Sequence, residues 1–308
     1  LQVAFAGTPE FAATILRGLL SSPHEVGLVI SQPDRRRGRG RKSAPTPVAE
    51  LARSRDLPLA QPESISRVAG EISRHDALVV AAYGQILHPD TLYAAPHGAW
   101  NVHASLLPRY RGAAPIERAI MNGERETGIT VIRMNEGLDT GPMALRRPVP
   151  IPPDMTGGEL EALLAHTGAE AIVEVLSSVE SGTVKLIEQD SSKATYAPKL
   201  TGEDLMLRWS VGAREVHDKV RALAPGIGAR TYHPKVDGPI KVWRTRVLEE
   251  GEGSPGPGWI GAENGVLRVG CGAGMVEVLE LQMPGRKRLS ASELLRGYKL
   301  EGAFISPE

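Results

Sequence analysis

Cysteine occurs once in this sequence of 308 residues, at Cys271, so no internal disulfide can form and the chain suits a reducing compartment. Net charge is missing as well. Lys+Arg and Asp+Glu each total 36, so a polyanionic partner would have to be met by a local basic patch. No continuous apolar run is long enough to cross a bilayer, which takes about 20 residues; the best, at 77–83, is far shorter. The first residues, LQVAFAGTPEF, open on Leu1 rather than Met and enter a strand pattern with no basic leader. Together these features predict a cytoplasmic protein without membrane association. Gly7 is a lone glycine, so the GxGxxG fingerprint is absent and a nicotinamide cofactor is not expected. There is no GxxxxGK[ST] loop, and the eight histidines are scattered without HExxH or cysteine partners, so no metal is expected. Internal repeats and low-complexity tracts are also lacking.

The sequence does hold enough apolar residues, 41%, for a real core. Its length is about twice that of one domain, so two domains are expected. In the first half, short β-rich runs alternate with helical patterns. Strands are expected at 3–6, 26–31, 77–82, 100–104 and 130–134, the last alternating as if partly facing solvent. Thr8–Pro9 and Thr46–Pro47 each pair an N-cap oxygen with a proline at the first helical position. The alternation implies crossover connections, a mostly parallel sheet and helices on both faces, with ligands beyond the carboxyl ends of the strands. That edge would carry Gly7–Thr8, Tyr83–Gly84–Gln85 and the segment after Val102. Thr156 would cap a long helix with Leu160, Leu163, Leu164, Ile172, Val175, Leu176 and Val179 on one stripe. The pattern dissolves near 190–204, a linker. Beyond it Ser210 would cap a helix over 211–223, and short strands at 229–232, 240–243, 259–260, 266–269 and 275–281 suggest a small barrel. The expected domains are thus 1–189 and 205–308.

Three stretches carry chemistry. In NVHASLLPRYRGAAPI, at 101–116, Asn101 and His103 are two apart on a strand and share a face. Asn can donate to a carbonyl or oxyanion and His can shuttle a proton near neutral pH, although a pair of satisfied polar residues at a strand end would read the same way. Gly137–Leu138–Asp139–Thr140–Gly141 flanks a carboxylate with glycines, whose freedom to take positive φ could bring Asp139 up to His103. An Asp capping its own turn is the plainer alternative. PDRRRGRGRK, at 33–42, sets six cations against one anion. Such runs are usually solvated loops, yet this one lies on the same sheet edge and suits a phosphate-bearing partner.

FAGTPEFA, QPDRRRGRGRK, VVAAYGQIL, NVHASLLPRYRGAAPI, GLDTGPM and LQMPGRKRLSASELLRG, in this order and spacing, resemble the methionyl-tRNA formyltransferase family over nearly the whole chain. One departure is Pro142, where many relatives carry Asp. The resemblance implies a Rossmann-like catalytic domain, a C-terminal OB-like β-barrel that binds tRNA, and formyl transfer from 10-formyltetrahydrofolate to initiator methionyl-tRNA. It implies catalysis by Asn101, His103 and Asp139, with no metal. Ser105, Leu106, Leu107 and Pro108 would contact the folate, with Tyr83, Gly84, Gln85, Ile86 and Leu87 lining the same pocket. Arg35, Arg36, Arg37, Arg39, Arg41 and Lys42 would meet the tRNA, Arg39 matching the loop residue at its acceptor end, and Arg286, Lys287 and Arg288 would add cations in the barrel. A monomer is expected. The alternatives are a folate-dependent formyltransferase acting on another amine, such as an amino-sugar nucleotide or glycinamide ribonucleotide, and a non-catalytic tRNA-binding relative; the intact Asn101, His103 and Asp139 argue against the latter.

Overall fold

A computed structural model describes residues 1–37, 42–248 and 255–305. The chain divides into two compact units, one built from Leu1–Pro115, Glu126–Pro150 and Glu161–Pro198, the other from Ile116–Arg125, Ile151–Leu160 and Lys199–Glu308.

The first unit is an α/β sheet. Its strands are β1 (Gln2–Gly7), β2 (Glu25–Ile30), β5 (Leu59–Ala60), β6 (Ala77–Ala81), β7 (Ala99–His103), β8 (Glu126–Arg133) and β9 (Met143–Pro150), while β3 (Arg35–Arg37) and β4 (Lys42–Ala44) form a separate hairpin. The seven-stranded order is β5-β2-β1-β6-β7-β8-β9. β5 to β7 run parallel, as the alternation of strands and helices requires. β8 and β9 add an antiparallel edge, and β9 is a strand that its prolines and arginines conceal from a hydrophobic-pattern reading. β8 is buried at every position but its two ends, not half-solvated as its alternation suggests, because both of its faces are covered: Ile132 packs with Leu107 and Met143 on one, and Ile129 lies against Gly168 of the long helix over 157–180 on the other. From β1 the chain builds outward through β2 to β5, then crosses back to β6 and β7 on the other side. This reversal opens a crevice at the carboxyl ends of β1 and β6.

Both faces of the sheet are covered. On one, Ala4, Ala6, Leu28, Ile30, Leu78, Val80 and Ala99 form a buried cluster with Ile65, Val68, Ile72 and Leu92 from the short helical segments that follow β5 and β6. On the other, the helices α1 (Glu10–Leu20) and α6 (Gly157–Glu180) pack so closely that a Cβ on Gly18 would lie 2.6 Å from that of Ala169. A Cβ on Gly168 would likewise stand 2.8 Å from Val102 Cγ1 and 3.4 Å from Ile15. α6 is long and apolar enough by composition to cross a membrane, but its Leu160, Leu164, Ile172, Val175, Leu176 and Val179 are buried in the protein. Leu163 falls off that stripe and is exposed.

Capping signals act locally and unequally. Thr46 accepts from Ala49 N–H at 3.1 Å and starts α2 (Pro47–Ser54) with Pro47 at its first turn. Thr156 and Glu159 exchange backbone-to-side-chain bonds of 2.8 and 3.3 Å, a capping box for α6. Thr8 behaves otherwise. α1 begins at Glu10 behind Pro9 with no side-chain cap, and the Thr8 hydroxyl instead donates to the Tyr83 carbonyl at 2.9 Å, tying the ends of β1 and β6 together.

The second unit holds the sheet β10-β11-β14-β13-β12, with β15 on β14: β10 (Ala229–His233), β11 (Val236–Leu248), β12 (Ile260–Glu263), β13 (Val266–Gly270), β14 (Met275–Gln282) and β15 (Arg288–Ser290). One segment reaches both outer strands. Ile305 pairs with Tyr232 on β10, and Ala303 pairs with Trp259 just before β12, so the sheet curls toward closure. β11 runs through 13 residues, longer than expected at 240–243, because bulges bend it around the barrel and break its alternation. The helix α7 (Ala213–Leu223) starts behind Gly212 rather than Ser210. Its Val216, Val220 and Leu223 join Trp209, Leu267, Val269 and Phe304 in the core. Cys271 is sealed in this core, and burial pushes its thiol up to about 11.

Candidate active site

Asn101 and His103 lie on β7, two residues apart and therefore on one face, at the carboxyl edge beside β6. After His103 the chain leaves the sheet and folds back on itself. The Ser105 hydroxyl donates to the Arg109 carbonyl at 2.6 Å, and the carbonyl of Ser105 accepts from Thr130 Oγ1 at 2.7 Å. That hydroxyl of Thr130 also accepts from Leu107 N–H at 3.0 Å. Ser105 and Thr130 are fully buried, so these bonds form where their loss is costly. The loop of Ser105, Leu106, Leu107 and Pro108 is thereby a rigid Ω-like turn.

The turn delivers Tyr110 and Gly112 to this sheet edge. His103 Nε2 lies 2.8 Å from the Tyr110 carbonyl. A carbonyl only accepts, so Nε2 carries a hydrogen and the ring orientation is fixed. The other nitrogen, Nδ1, then faces Asp139 Oδ2 at 3.6 Å, beyond a direct hydrogen bond. His103 and Asp139 are both largely buried, their side chains 6% and 12% exposed, so electrostatic interactions between them are weakly screened by solvent. Asp139 accepts from two donors: Asn101 Nδ2 at 3.3 Å on Oδ1, and Gly112 N–H at 2.8 Å on Oδ2. Of the three polar groups suggested by the sequence, Asn101 and His103 therefore converge on the third, the Asp139 carboxylate.

The backbone around Asp139 differs from expectation. Asp139 itself takes the left-handed conformation, with φ of 50°, while its flanking glycines do not. Those glycines serve close approach instead: a Cβ on Gly141 would fall 1.9 Å from the Arg133 carbonyl oxygen. Gly112 needs both freedoms, with φ of 116° and a would-be Cβ 2.8 Å from the Ala197 oxygen.

The segment after β6 divides in two. Tyr83 and Leu87 point into the apolar cluster under the sheet. The Tyr83 hydroxyl is buried without a hydrogen-bond partner, and burial pushes it up to about 12. The backbone of Tyr83 is anchored, its carbonyl accepting from Thr8 and from Gln32 Nε2 at 3.1 Å. Gln85 braces the loop internally through Ile65 N–H and the Glu63 carbonyl, both at 3.0 Å. Gly84 takes φ of 85°, and Ile86 is held 81% exposed.

In the basic run, Arg35–Arg37 pairs antiparallel with Lys42–Ala44. Arg39 and Arg41 lie outside the described residues, as does the run's conformation between the two strands. In the second unit, Arg288 is already engaged: its guanidinium lies 3.7 Å over the Trp243 ring and donates to the Pro225 carbonyl at 3.2 Å. Four residues given no role from the sequence complete this sheet edge: Tyr110, Thr130, Arg111 and Gln189. The first two act through a carbonyl and a buried hydroxyl. Neither leaves a pattern in a single sequence.

The sequence pattern described as formyl transferase matches residues 1–176, and that of the formyl transferase C-terminal domain matches residues 199–299. A methionyl-tRNA formyltransferase from Rubrobacter xylanophilus is 70% identical over 304 residues, covering 99% of each chain. One from Thermotoga neapolitana is 42% identical over 316 residues, covering 99% of this chain and 100% of the relative. Among solved structures, an N-formyltransferase from Helicobacter canadensis, in complex with folinic acid and dTDP-3-aminofucose, superposes with a TM-score of 0.68 at 16% identity, covering 94% of this chain and 100% of that one. At that identity the likeness is one of fold.

Proposed function

The chain belongs to the methionyl-tRNA formyltransferase family, and we propose that its Asn101–His103–Asp139 cluster moves the formyl group of 10-formyltetrahydrofolate to the α-amino group of initiator methionyl-tRNA. The observation that carries this reading is the meeting of an amide, an imidazole and a carboxylate at one sheet edge, within 3.6 Å of a shared carboxyl group.

The reaction joins the amine nitrogen to the formyl carbon and breaks the bond from that carbon to N10. The amine loses a proton and N10 gains one. As the nitrogen attacks, the formyl oxygen takes up negative charge. Asn101 Nδ2 has two hydrogens and spends one on Asp139, leaving the second for that oxygen. Protonated His103 keeps one N–H on the Tyr110 carbonyl and offers the other from Nδ1. Each well-aimed donor is worth about 3–4 kcal/mol to such a transition state. The Asp139 carboxylate accepts the amine's proton, directly or through a water, and His103 returns one to the leaving nitrogen.

The residues present suit a folate donor. Ile86, large and apolar yet 81% exposed after β6, offers a flat ring a surface to cover, and the turn of Ser105, Leu106, Leu107 and Pro108 that follows His103 is assigned to the same ligand. Arg35, Arg36, Arg37, Arg39, Arg41 and Lys42 are assigned to phosphates of the acceptor end, and the C-terminal barrel to the body of the tRNA.

The test offers one enzyme two amines. Purified protein with 10-formyltetrahydrofolate is given initiator methionyl-tRNA or a dTDP-amino sugar in parallel. Formylation of the methionyl-tRNA with a kcat/KM at least a hundredfold higher is expected. Preference for the sugar amine would overturn the assignment and favour the sugar-nucleotide alternative.

A further inference from the structure

Gln189 lies between the two regions matched by family patterns, at 1–176 and 199–299, yet its side chain reaches the Asp139 loop. We infer that Gln189, gripped by Arg111, is a positioning residue that sets the direction of the Asp139 carboxylate; the inference rests on the functional reading above. Gln189 Oε1 accepts two hydrogen bonds from the Arg111 guanidinium, 3.1 Å from Nε and 2.8 Å from Nη2. Gln189 Nε2 donates to the carbonyls of Asp139 and Gly141, at 2.7 and 2.8 Å.

This arrangement allows one orientation of the amide. Exchanging its oxygen and nitrogen would set an NH2 against a guanidinium and an oxygen against two carbonyls, so donors would face donors and acceptors acceptors. Both N–H groups and two acceptor sites of the amide are used. Arg111 is 3% exposed, so its charge acts at short range on the amide it grips, polarising it and strengthening the two N–H donations. Arg111 is itself fixed by its backbone, which bonds to Thr195 and Ala197 at 2.8 and 2.7 Å.

The object of this grip is a strained residue. Asp139 holds φ of 50°, disfavoured for a residue bearing a Cβ. Bonds to the carbonyls of residues 139 and 141 clamp two peptide units on the C-terminal side of Asp139, the first of them its own. With the backbone clamped, the Asp139 carboxyl has its oxygens fixed between Asn101, Gly112 and His103. Without the clamp the residue is free to relax, and the carboxylate turns away from His103 Nδ1.

Gln189→Glu separates positioning from stability. The new carboxylate keeps an oxygen for Arg111 and gains an ion pair, but it has no hydrogen for the two carbonyls. Expected are a Tm within a few degrees of wild type, one folate bound per chain at unchanged Kd, kcat lowered at least tenfold, a displaced pH–rate profile, and faster amide exchange confined to 137–141. If Gln189→Glu does not fold, Gln189→Ala is judged by its pH profile and exchange pattern. Two results would overturn the inference: a kcat within threefold of wild type with an unmoved pH profile, or a kcat lost only in proportion to lost folate sites. Wild-type protein that formylates methionyl-tRNA while the variant matches it refutes the role of Gln189 alone. Wild-type protein that fails to formylate refutes the functional reading, and the exchange measurement still judges the clamp.

Discussion

Replacing Asp139 with Asn keeps the shape of the side chain and removes one acceptor, so its effect can be worked from three contacts. Oδ1 accepts from Asn101 Nδ2 and Oδ2 from Gly112 N–H, while His103 Nδ1 lies 3.6 Å from Oδ2. An amide has one oxygen. Turned toward Gly112, it points its NH2 at the NH2 of Asn101; turned the other way, it points its NH2 at the Gly112 N–H. Either orientation loses one hydrogen bond to a charged group, worth about 1.5–3 kcal/mol. Removing the carboxylate charge beside a protonated His103 in this shielded setting costs about 1–3 kcal/mol more. A total of about 2.5–6 kcal/mol corresponds to a fall in kcat of roughly 10²- to 10⁴-fold. Stopped-flow or quench assay of formyl transfer, with folate binding measured on the same preparation, reads this directly. Folate affinity should stay within about threefold, since the folded turn after His103 is untouched. An Asp139→Asn protein that folds, binds folate and keeps more than a tenth of wild-type kcat would refute the reasoning.

Other expectations concern separate parts of the chain. The Arg118 guanidinium, bonded to Asp204 at 2.6 and 2.8 Å, holds that carboxyl down to about 2. Its contribution to stability is therefore full above pH 4 and disappears as pH falls toward 2; Asp204→Asn should cost about 1–2 kcal/mol at pH 7, and a Tm deficit unchanged between pH 7 and pH 2 would contradict this. Arg39→Ala should raise KM for methionyl-tRNA several-fold with folate affinity unaltered, and neutralising Arg35, Arg36, Arg37, Arg39, Arg41 and Lys42 together should flatten the log–log salt dependence of tRNA binding by roughly 2–3 units if about three phosphates are met; equal salt slopes would remove this run from the tRNA interface. Cys271, buried with its thiol pushed up to about 11, should resist iodoacetamide at pH 8 until the protein is unfolded, and rapid labelling of native protein would show that its core opens readily.

Where local chemistry decided the outcome, the sequence was a good guide. Val3, Val29 and Val79 lie in uniformly apolar runs, and their strands form the parallel sheet. Thr46–Pro47 starts a helix because both signals act within one turn. Asn101 and His103 share a face because strand periodicity permits nothing else. The misreadings arose where a distant partner changed the terms. Thr8 has the same local signature as Thr46, yet Tyr83, 75 residues away, captures its hydroxyl. Val131 reads as half-exposed until distant segments cover both faces of β8, and β9 has too little apolar content to announce a strand. The roles of Gly137 and Gly141 were misjudged for a related reason: they make room for Thr140 and Arg133, and Asp139 bears the left-handed turn. The Tyr110 carbonyl is invisible to any reading of side-chain types, although it fixes the His103 ring. Gln189 is an ordinary polar residue until the fold brings Arg111 against it.

The destination of the formyl group tests the transferase assignment most directly. Single-turnover reaction of excess protein with formyl-labelled 10-formyltetrahydrofolate and initiator methionyl-tRNA, followed by mild base hydrolysis of the ester, identifies the labelled product. The prediction is that the label appears as N-formylmethionine in wild-type protein, and that Asn101→Ala and His103→Ala proteins that still bind folate form it at least a hundredfold more slowly. Label remaining on folate in the wild type, or transfer at near-normal rate in either variant, would contradict the assignment of this sheet edge as the transferase centre.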